Sequence, residues 1–359
     1  MTNLLFIDYG FENYRGRFLE ELRLRGFEIN CITQKETRIV NPAIRFKQIG
    51  FIGYESSLRG FQELMRMPHL LYSIKKINPA VIIVGNMGIN SLASIIYSKV
   101  FQVPVIVWAR LSVWTEKNRS PLTSIYRRCI LFMSKSIIVN SQSGSRYIST
   151  LSKTYIHVIP QVSNIEQKLY MSPMTPQSSK GNRVFCYVGR LVKGKGLENV
   201  LKILAINDFR GTIRIVGAGP MLDELLKIEM SDGMNVEFLG WCDSTQVELV
   251  ISQSDALIFP SECDEWGLAV VEAINLGCPI LGSIRSGAVE ELLVDREHGY
   301  LYDPFDSDTI VRAFAKFSEL SDEEITRMRS NCLALSAERK LSAENMARLF
   351  EESILRAID

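Results

Sequence analysis

The sequence predicts an α/β protein made of two doubly wound halves joined by a short polar linker. Its 359 residues correspond to about two domains, at roughly 100–200 residues each. Short apolar runs of strand length alternate with amphipathic, helix-like stretches along most of the chain, which is typical of parallel sheets with connecting helices. Residues 166–183 interrupt this alternation with two prolines, several serines and no periodic apolar pattern, so we interpret them as a linker.

The apolar runs give the predicted strands in order. In the first half they cover residues 4–8, 27–33, 80–85, 103–109, 136–141 and 157–160, with a helix over Arg17–Arg25 between the first two. In the second half they cover residues 184–190, 212–219, 235–240, 255–261 and 279–283. The tail from about Ser321 to Asp359 has a helical pattern and no strand-like run.

Several classes of protein are disfavoured by composition. The N-terminus reaches Asp8 without a basic lead and is typical of a strand rather than a signal peptide. No apolar run approaches the roughly 18 residues of a spanning helix. The seven cysteines form no CxxC pair, which favours reduced thiols in a cytosolic protein over disulfides or zinc. His69, His157 and His298 lie far apart, so no metal site is expected.

The formal net charge of +1 conceals a division between the halves. Residues 1–180 contain 23 Lys+Arg and 10 Asp+Glu, a balance of +13, whereas residues 181–359 contain 18 and 30, a balance of −12. The chain is therefore a basic half followed by an acidic half.

The first motif is VGRLVKGKGLENVL at residues 188–201. A predicted strand ends in a turn that holds Arg190, Lys193 and Lys195 before an amphipathic helix. Ligands of open parallel sheets bind at the carboxyl ends of strands, and Arg and Lys are suited to phosphate oxygens. A basic loop that only faces solvent is an equally good interpretation of this motif alone.

The second motif, RIVGAGPML at residues 214–222, again leads from a strand through glycines to a helix. Gly217 and Gly219 permit a close backbone approach, and a helix N-terminus favours anions. The motif lacks the third glycine of a dinucleotide fingerprint, so a plain tight turn remains a competing interpretation.

The third and most specific motif is FPSECDEWGLAVVEAINLGCPIL at residues 259–281. A strand runs into an acidic loop with Glu262, Asp264 and Glu265, and Gly267 then opens a helix. Glu272 lies on that otherwise apolar helix, where an unpaired buried carboxylate is unfavourable. Sugar hydroxyls would satisfy it, and so would a nearby arginine or backbone amide.

Together the three motifs resemble the C-terminal half of the retaining nucleotide-sugar glycosyltransferases of family 4 (glycosyl transferases group 1). The resemblance is specific from about Val184 to Tyr302 and includes SGAVEELLVDREHGYLYDP near its end. It implies the GT-B fold of two Rossmann-like domains facing across a cleft, with a C-terminal helix that crosses back to the first domain. The implied boundaries are an acceptor domain at 1–165, a linker at 166–183, a donor domain at 184–335 and the returning helix at 336–359.

The resemblance assigns site residues in the second half. Arg190 and Lys195 would hold the donor diphosphate, Glu272 the ribose, and Asp264 the transferred sugar. The family usually has Glu at that last position, so Glu265 is an alternative sugar contact. The remaining substrate contacts implied by the resemblance are Trp266, Gly267 and Leu268, together with backbone around Gly217, Gly219 and Trp241 for the base.

The first half matches the family only in layout. The family commonly has a Gly-Gly pair near the phosphates, whereas the segment YGFENYRGRF has Gly16 alone, with Arg15 and Arg17 beside it. Gly16 and Arg15 are the substrate contacts that the resemblance implies in this segment. Many relatives place a histidine after a middle strand, and here Arg110 stands nearest that position. Arg110 would clamp a phosphate or acceptor group, or form a purely structural salt bridge.

The resemblance implies transfer of a sugar from a nucleotide-diphosphate sugar with retention at the anomeric carbon and without cofactor or metal. A nucleotide-sugar 2-epimerase, and an impaired transferase that acts as a binding or scaffold subunit, are the alternatives. The donor base and sugar, and the acceptor, stay open.

The basic first half suits an enzyme at an anionic membrane surface with a glycan or lipid-linked acceptor, and no nucleic acid is expected as a partner. We therefore expect a cytoplasmic protein at the inner face of the plasma membrane that assembles bacterial surface polysaccharide. A plain solvated surface is the alternative. The cation clusters considered for membrane contact are Arg15/Arg17/Arg23/Arg25, Lys75/Lys76 and Arg127/Arg128.

Overall fold

The computed structural model describes residues 1–8, 15–33, 44–48, 67–85, 87–116, 120–165 and 180–359. The chain divides into two compact units, Met1–Asn164 together with Ala343–Asp359, and Ile165–Ser342. Most of the predicted linker, residues 166–179, and residues 9–14 of the predicted N-terminal loop lie outside the described residues. Each unit is organised around one parallel sheet.

The first unit contains a parallel sheet with strand order β3-β2-β1-β4-β5-β6-β7 in its described part. The strands are β1 Thr2–Asp8, β2 Phe27–Thr33, β3 Arg45–Gln48, β4 Val81–Val84, β5 Val105–Ala109, β6 Ser136–Val139 and β7 Ile156–Val158. The helices are α1 Gly16–Leu24, α2 Met67–Ile77, α3 Ile89–Phe101, α4 Pro121–Met133 and α5 Gln142–Ser149, and the unit also includes α13 Ala343–Ile358.

The second unit has the strand order β10-β9-β8-β11-β12-β13, again with every pair parallel. Its strands are β8 Val184–Val188, β9 Gly211–Val216, β10 Met234–Gly240, β11 Ala256–Phe259, β12 Ile280–Ser283 and β13 Gly299–Tyr302. Its helices are α6 Leu197–Ile206, α7 Leu222–Leu225, α8 Ser244–Ser252, α9 Leu268–Asn275, α10 Gly287–Leu292, α11 Ser307–Ser318 and α12 Asp322–Arg339.

Both sheets reverse their direction of winding after the first strand of the unit, between β1 and β4 and between β8 and β11. This is the doubly wound arrangement that the alternating pattern predicts, and ligands of such sheets bind where the strand order reverses. The central strands β4, β5 and β6 are buried at every position, because helices must cover both faces of a parallel sheet.

Two observed strands, β3 and β13, are missing from the prediction. β3 has the sequence RFKQ at the edge of its sheet, where polar side chains are tolerated and the apolar signal is weak. β13 has the sequence GYLY and is also an edge strand, paired with β12 alone. Both strands have only four residues, so each gives hydrophobic patterning a short signal, whereas the edge strands β7 and β10 are predicted.

Helix α13 belongs to the first unit although it ends the chain, whereas residues 336–342 of the predicted returning segment belong to the second unit. Its fully buried Phe350 packs against the rings of Phe18 and Trp108, with centroids 4.7 and 5.0 Å away. Glu351 pairs with Arg25 at 2.8 Å between Oε2 and Nη1. The return is therefore held by an aromatic cluster and an ion pair.

No helix in the described ranges is both long and apolar enough to cross a membrane.

Replacing Phe350 with alanine should destabilise the first unit by about 3–5 kcal/mol, because the cavity would lie within the aromatic cluster. Urea unfolding followed by circular dichroism measures the loss. Leu355→Ala on the same helix removes a half-exposed side chain and should cost less than about 0.5 kcal/mol. Equal unfolding midpoints for the two variants would show that the helix does not depend on Phe350.

Candidate functional site

The candidate site in the second unit lies at the carboxyl edge of its sheet, where the three predicted motifs meet. Strands β9, β8 and β11 are neighbours, so the loops that follow them start side by side. These loops are residues 189–196 before α6, residues 217–221 before α7, and residues 260–267 before α9. The structure thus brings together motifs separated by up to about seventy residues in sequence.

The loops after β8 and β9 contact each other through backbone. Gly217 has φ +146°, and a Cβ atom there would lie 1.9 Å from the carbonyl oxygen of Gly189. The Leu191 amide donates to the Ala218 carbonyl at 3.0 Å, and the Met221 amide donates to the Leu191 carbonyl at 3.1 Å. Glycine is required at position 217 because a neighbouring backbone occupies the space of a side chain.

The loop after β8 also contacts the loop after β11. Gly196, the residue before α6, has φ +71°, and a Cβ atom there would lie 1.9 Å from the Pro260 carbonyl oxygen. The Glu262 amide donates to the Gly194 carbonyl at 3.0 Å. The cationic loop is therefore held between two neighbouring loops, which fixes its position before any ligand arrives.

Lys195 and Asp264, assigned from different motifs, form an ion pair with 2.5 Å between Nζ and Oδ2. Both are partly buried, with 26% and 16% of their side chains exposed. Asp264 also accepts hydrogen bonds from the Ser261 hydroxyl and the Trp266 amide, each at 3.3 Å. The carboxylate therefore sits among three donors, and one of them is the predicted diphosphate-binding lysine.

The backbone of Asp264 is fixed by the loop after β12, which has no predicted role of its own. Its amide donates to the Arg285 carbonyl at 2.9 Å, and its carbonyl accepts from the Gly287 amide at 3.3 Å. The Ser286 hydroxyl donates to the Trp266 carbonyl at 2.6 Å. The segment beginning SGAVEE is the sequence signal for Ser286 and Gly287, and the sequence assigns it no role beyond the family resemblance.

Tyr187 is a second residue without a predicted role. It is buried beneath the loop, and its hydroxyl donates to the Arg190 carbonyl at 3.0 Å. Burial, followed by the negative charge of Asp264, raises the pKa of the Tyr187 phenol well above its usual value of 10. Tyr187 therefore remains a neutral hydrogen-bond donor that supports the Arg190 turn at physiological pH.

A cavity of about 510 Å³ opens beside the cationic loop. Its walls include Arg190, Lys193 and Lys195, with the apolar ring of Phe305 among the other contacts. Asp264 and Glu272 are not part of its wall. The cations thus face a space of small-molecule size, while the predicted sugar and ribose contacts lie outside it.

The other residues predicted for the second half differ in accessibility. Glu265, Leu268 and Glu272 are half-buried, and Trp241 is 75% exposed just after β10. Gly219 lies in the loop after β9. Trp266 is 2% exposed, and its amide and carbonyl are bonded within the site, so its burial disfavours the predicted substrate contact.

In the first unit, Asp8, Arg15 and Arg110 cluster at the carboxyl edge of the sheet. Asp8 is 2% exposed and pairs with Arg15 Nη1 at 2.8 Å and with Arg110 Nη2 at 2.7 Å. Arg15 lies over the ring of Trp108. Asp8 had no predicted role, although an acid that ends an otherwise apolar strand was a signal for it.

Arg15 is 1% exposed, so the prediction that it contributes to a membrane-contacting cluster is wrong. Its charge is used to compensate that of Asp8 inside the unit. A substrate contact by Arg15 stays a prediction that this burial disfavours. Gly16 is the first residue of α1.

Arg110 forms a salt bridge with Asp8, which is one of the two roles that the sequence predicts for it. Its Nε and Nη2 atoms also donate to the Gly85 carbonyl, at 3.1 and 2.5 Å. A Cβ atom on Gly85 would lie 2.3 Å from Asp8 Oδ2, so the ends of β1, β4 and β5 are closely packed here. A ligand contact by Arg110 stays a prediction.

The fold and the site define a class of two-domain, doubly wound α/β proteins. In this class, cationic side chains of the second domain lie where the strand order of its sheet reverses. Residues 174–332 match the family model described as glycosyl transferases group 1, and nearly all of the matched residues lie in the second unit.

Known proteins similar to this chain are consistent with that class. Sulfoquinovosyl transferase SQD2 of Arabidopsis thaliana is 21% identical over 332 residues, which cover 84% of this chain and 62% of that protein. This chain thus spans less than two thirds of the length of that relative.

Two solved structures share the fold over 99% of both chains. HepE of Anabaena in complex with UDP and glucose has a TM-score of 0.76 at 15% identity. The lipopolysaccharide outer core galactosyltransferase WaaB has a TM-score of 0.72 at 15% identity. These likenesses confirm the two-domain GT-B fold.

Substituting Gly217 with alanine should destabilise the second unit by at least about 2 kcal/mol, because it adds a backbone clash to an unfavourable φ. Gly194→Ala is the matched control, since Gly194 also has a positive φ but its Cβ would meet open space. That variant should lose only about 1 kcal/mol. Thermal unfolding compares the two, and equal losses would contradict the close approach of the loops.

Proposed function

We propose that the protein is a retaining glycosyltransferase that moves a sugar from a nucleotide-diphosphate sugar to a glycan or lipid-linked acceptor. The observation that carries the proposal is the fixed cationic loop of Arg190 and Lys195, paired with Asp264, in a domain that matches the glycosyl transferases group 1 model. The complex of HepE with UDP and glucose supports a nucleotide-sugar donor, and the base stays open.

In the proposed mechanism, Arg190 and Lys195 stabilise the negative charge that grows on the leaving diphosphate. Because neighbouring loops hold their backbone in place, little reorganisation is needed when the charge develops. Asp264 holds the Lys195 ammonium at the site until the diphosphate oxygens become its stronger partners. The proposed reaction requires no metal and no cofactor.

Retention at the anomeric carbon suits a reaction in which the acceptor attacks from the face that the diphosphate leaves. The departing phosphate oxygen accepts the proton of the acceptor hydroxyl, so a separate basic side chain is not required. Glu272 would accept hydrogen bonds from the ribose, and Asp264 or Glu265 would contact the sugar. The neutral phenol of Tyr187 keeps the Arg190 turn in place throughout.

The proposed setting is the assembly of bacterial surface polysaccharide at the inner face of the plasma membrane. The excess of 13 positive charges in residues 1–180 supports an anionic surface as a partner of the first unit. The similarity in fold to WaaB, a lipopolysaccharide outer core galactosyltransferase, is consistent with that setting.

Lys195→Ala should reduce release of nucleoside diphosphate from a panel of UDP-, GDP- and dTDP-sugars by at least about a hundredfold, since it removes a cation at the leaving group. Lys193→Ala is the matched control: it changes a neighbouring cation of the same cavity that lacks the ion pair to Asp264, and it should retain most of the activity. Mass spectrometry and anomeric analysis of the product identify the sugar and its configuration.

The alternatives give different results in the same assay. An epimerised sugar nucleotide without a glycoside product would indicate a 2-epimerase. Donor binding without turnover, with acceptors supplied, would indicate a binding or scaffold subunit. An inverted anomeric configuration would overturn the retaining mechanism alone.

A further inference from the structure

Helix α4 exposes an apolar stripe on the side that faces away from its sheet. Leu122, Ile125 and Phe132 are 78%, 58% and 81% exposed, and Cys129 between them is exposed as well. Their spacing of three, four and three residues places them along one face of the helix. The opposite face packs into the core through Ile130. The stripe is thus additional to the apolar surface that the fold uses.

Exposed apolar side chains also occur on the neighbouring helix α3. The two helices pack against each other, and the Tyr126 hydroxyl of α4 donates to the Gly88 carbonyl before α3 at 2.8 Å. On α3, Ile96 and Val100 are exposed one turn apart. We call the combined surface the outer helical face and define it by Ile96, Val100, Leu122, Ile125, Arg128 and Phe132. Exposed apolar side chains gathered in this way commonly mark an interaction surface.

The chain segment that carries the outer helical face contains almost only positive charges. Residues 64–165 contain 12 Lys+Arg and a single acid, Glu116. That acid is buried and paired with Arg127, so it offers no negative charge to a partner. Lys99 of α3 and Arg128 of α4 are exposed beside the apolar side chains. The outer helical face therefore suits a partner with an anionic surface, which the cations would contact, and an apolar interior, which the apolar side chains would enter.

Three of the basic residues in and beside α1 form ion pairs within the first unit. Arg15 is buried on Asp8, Arg23 pairs with an acid of its own helix at 2.6 Å, and Arg25 pairs with an acid of α13 at 2.8 Å. Their charges are largely compensated within the first unit. The exposed cations of the clusters predicted for membrane contact are therefore Arg17 on α1, Lys75 and Lys76 on α2, and Arg128 on α4, besides the partly exposed Arg23.

We propose that the outer helical face docks on an anionic lipid bilayer. The side chains of Leu122, Ile125 and Phe132 enter the boundary between headgroups and acyl chains, while Arg128 and Lys99 remain at the lipid phosphates. Two copies of this face brought together would place like charges against each other, which disfavours a second copy as the occupant. The inference rests on the proposed function only for its biological setting, because the docking itself requires no catalysis.

Co-sedimentation with vesicles of phosphatidylglycerol and phosphatidylcholine in equal parts tests the docking. The double variant Leu122→Ser/Phe132→Ser should lower the fraction bound by at least about tenfold, because two apolar contacts with the bilayer are lost. Arg128→Glu should weaken binding by about tenfold on these vesicles. Pure phosphatidylcholine vesicles should bind the unmodified protein poorly. Ile206→Ser is the matched control, since Ile206 is an 80% exposed apolar residue of the second unit, and it should bind as the unmodified protein does.

Equal binding by the double variant and the Ile206→Ser variant would overturn the proposal, as would equal binding to both kinds of vesicle. Light scattering compares the oligomeric state of the two proteins. A dimeric unmodified protein and a monomeric double variant would instead identify a second copy as the occupant. Nucleotide release from soluble donors should be unchanged in the double variant. Failure of that release in the unmodified protein would therefore refute the proposed function without affecting the docking result.

Discussion

Parallel strand pairing is the constraint on which both polar clusters of this protein depend. Because every paired strand in a unit runs in the same direction, each chain segment leaves its sheet at the same edge. In the second unit this brings the ends of β8, β9 and β11 together, and with them the cationic loop and Asp264. In the first unit it brings together Asp8, Gly85 and Arg110. Each cluster therefore joins residues that are far apart in sequence.

The two clusters use charge in different ways. Asp8 is almost completely buried, and two arginines share its carboxylate, so the cluster requires both partners to avoid an uncompensated buried charge. Asp264 and Lys195 retain some exposure, so water and ligands can compete for their charges. The first arrangement suits a fixed structural element, whereas the second suits a site in which one ionic partner is exchanged for another.

Sequence patterning predicted the parts of the fold in which one physical signal dominates. The apolar central strands and the helical tail were found in this way, whereas the four-residue edge strands β3 and β13 were not. The motifs located Arg190, Lys195 and Asp264, because glycine and charge follow directly after apolar strands. The ion pair between Lys195 and Asp264 was not predictable, since side-chain pairing depends on tertiary distances. The burial of Arg15 was missed for the same reason, because its partner Asp8 appears in sequence as the polar end of a strand.

Charge balance illustrates the same limit at a larger scale. The sequence divides into a basic and an acidic half, but it does not show which cations are compensated by nearby acids. In the structure, four arginines form ion pairs with acids, so their charges are compensated: Arg15, Arg23, Arg25 and Arg127.

The aspartate at position 264, where the family usually has glutamate, is consistent with its observed contacts. Its short side chain places Oδ2 2.5 Å from Lys195 while the same carboxylate accepts bonds from Ser261 and from the Trp266 amide two residues later. A glutamate would carry its carboxylate one methylene further from the backbone and away from that amide. The aspartate therefore favours orientation of the lysine over reach toward a distant sugar hydroxyl, and the proposed sugar contact stays open between Asp264 and Glu265.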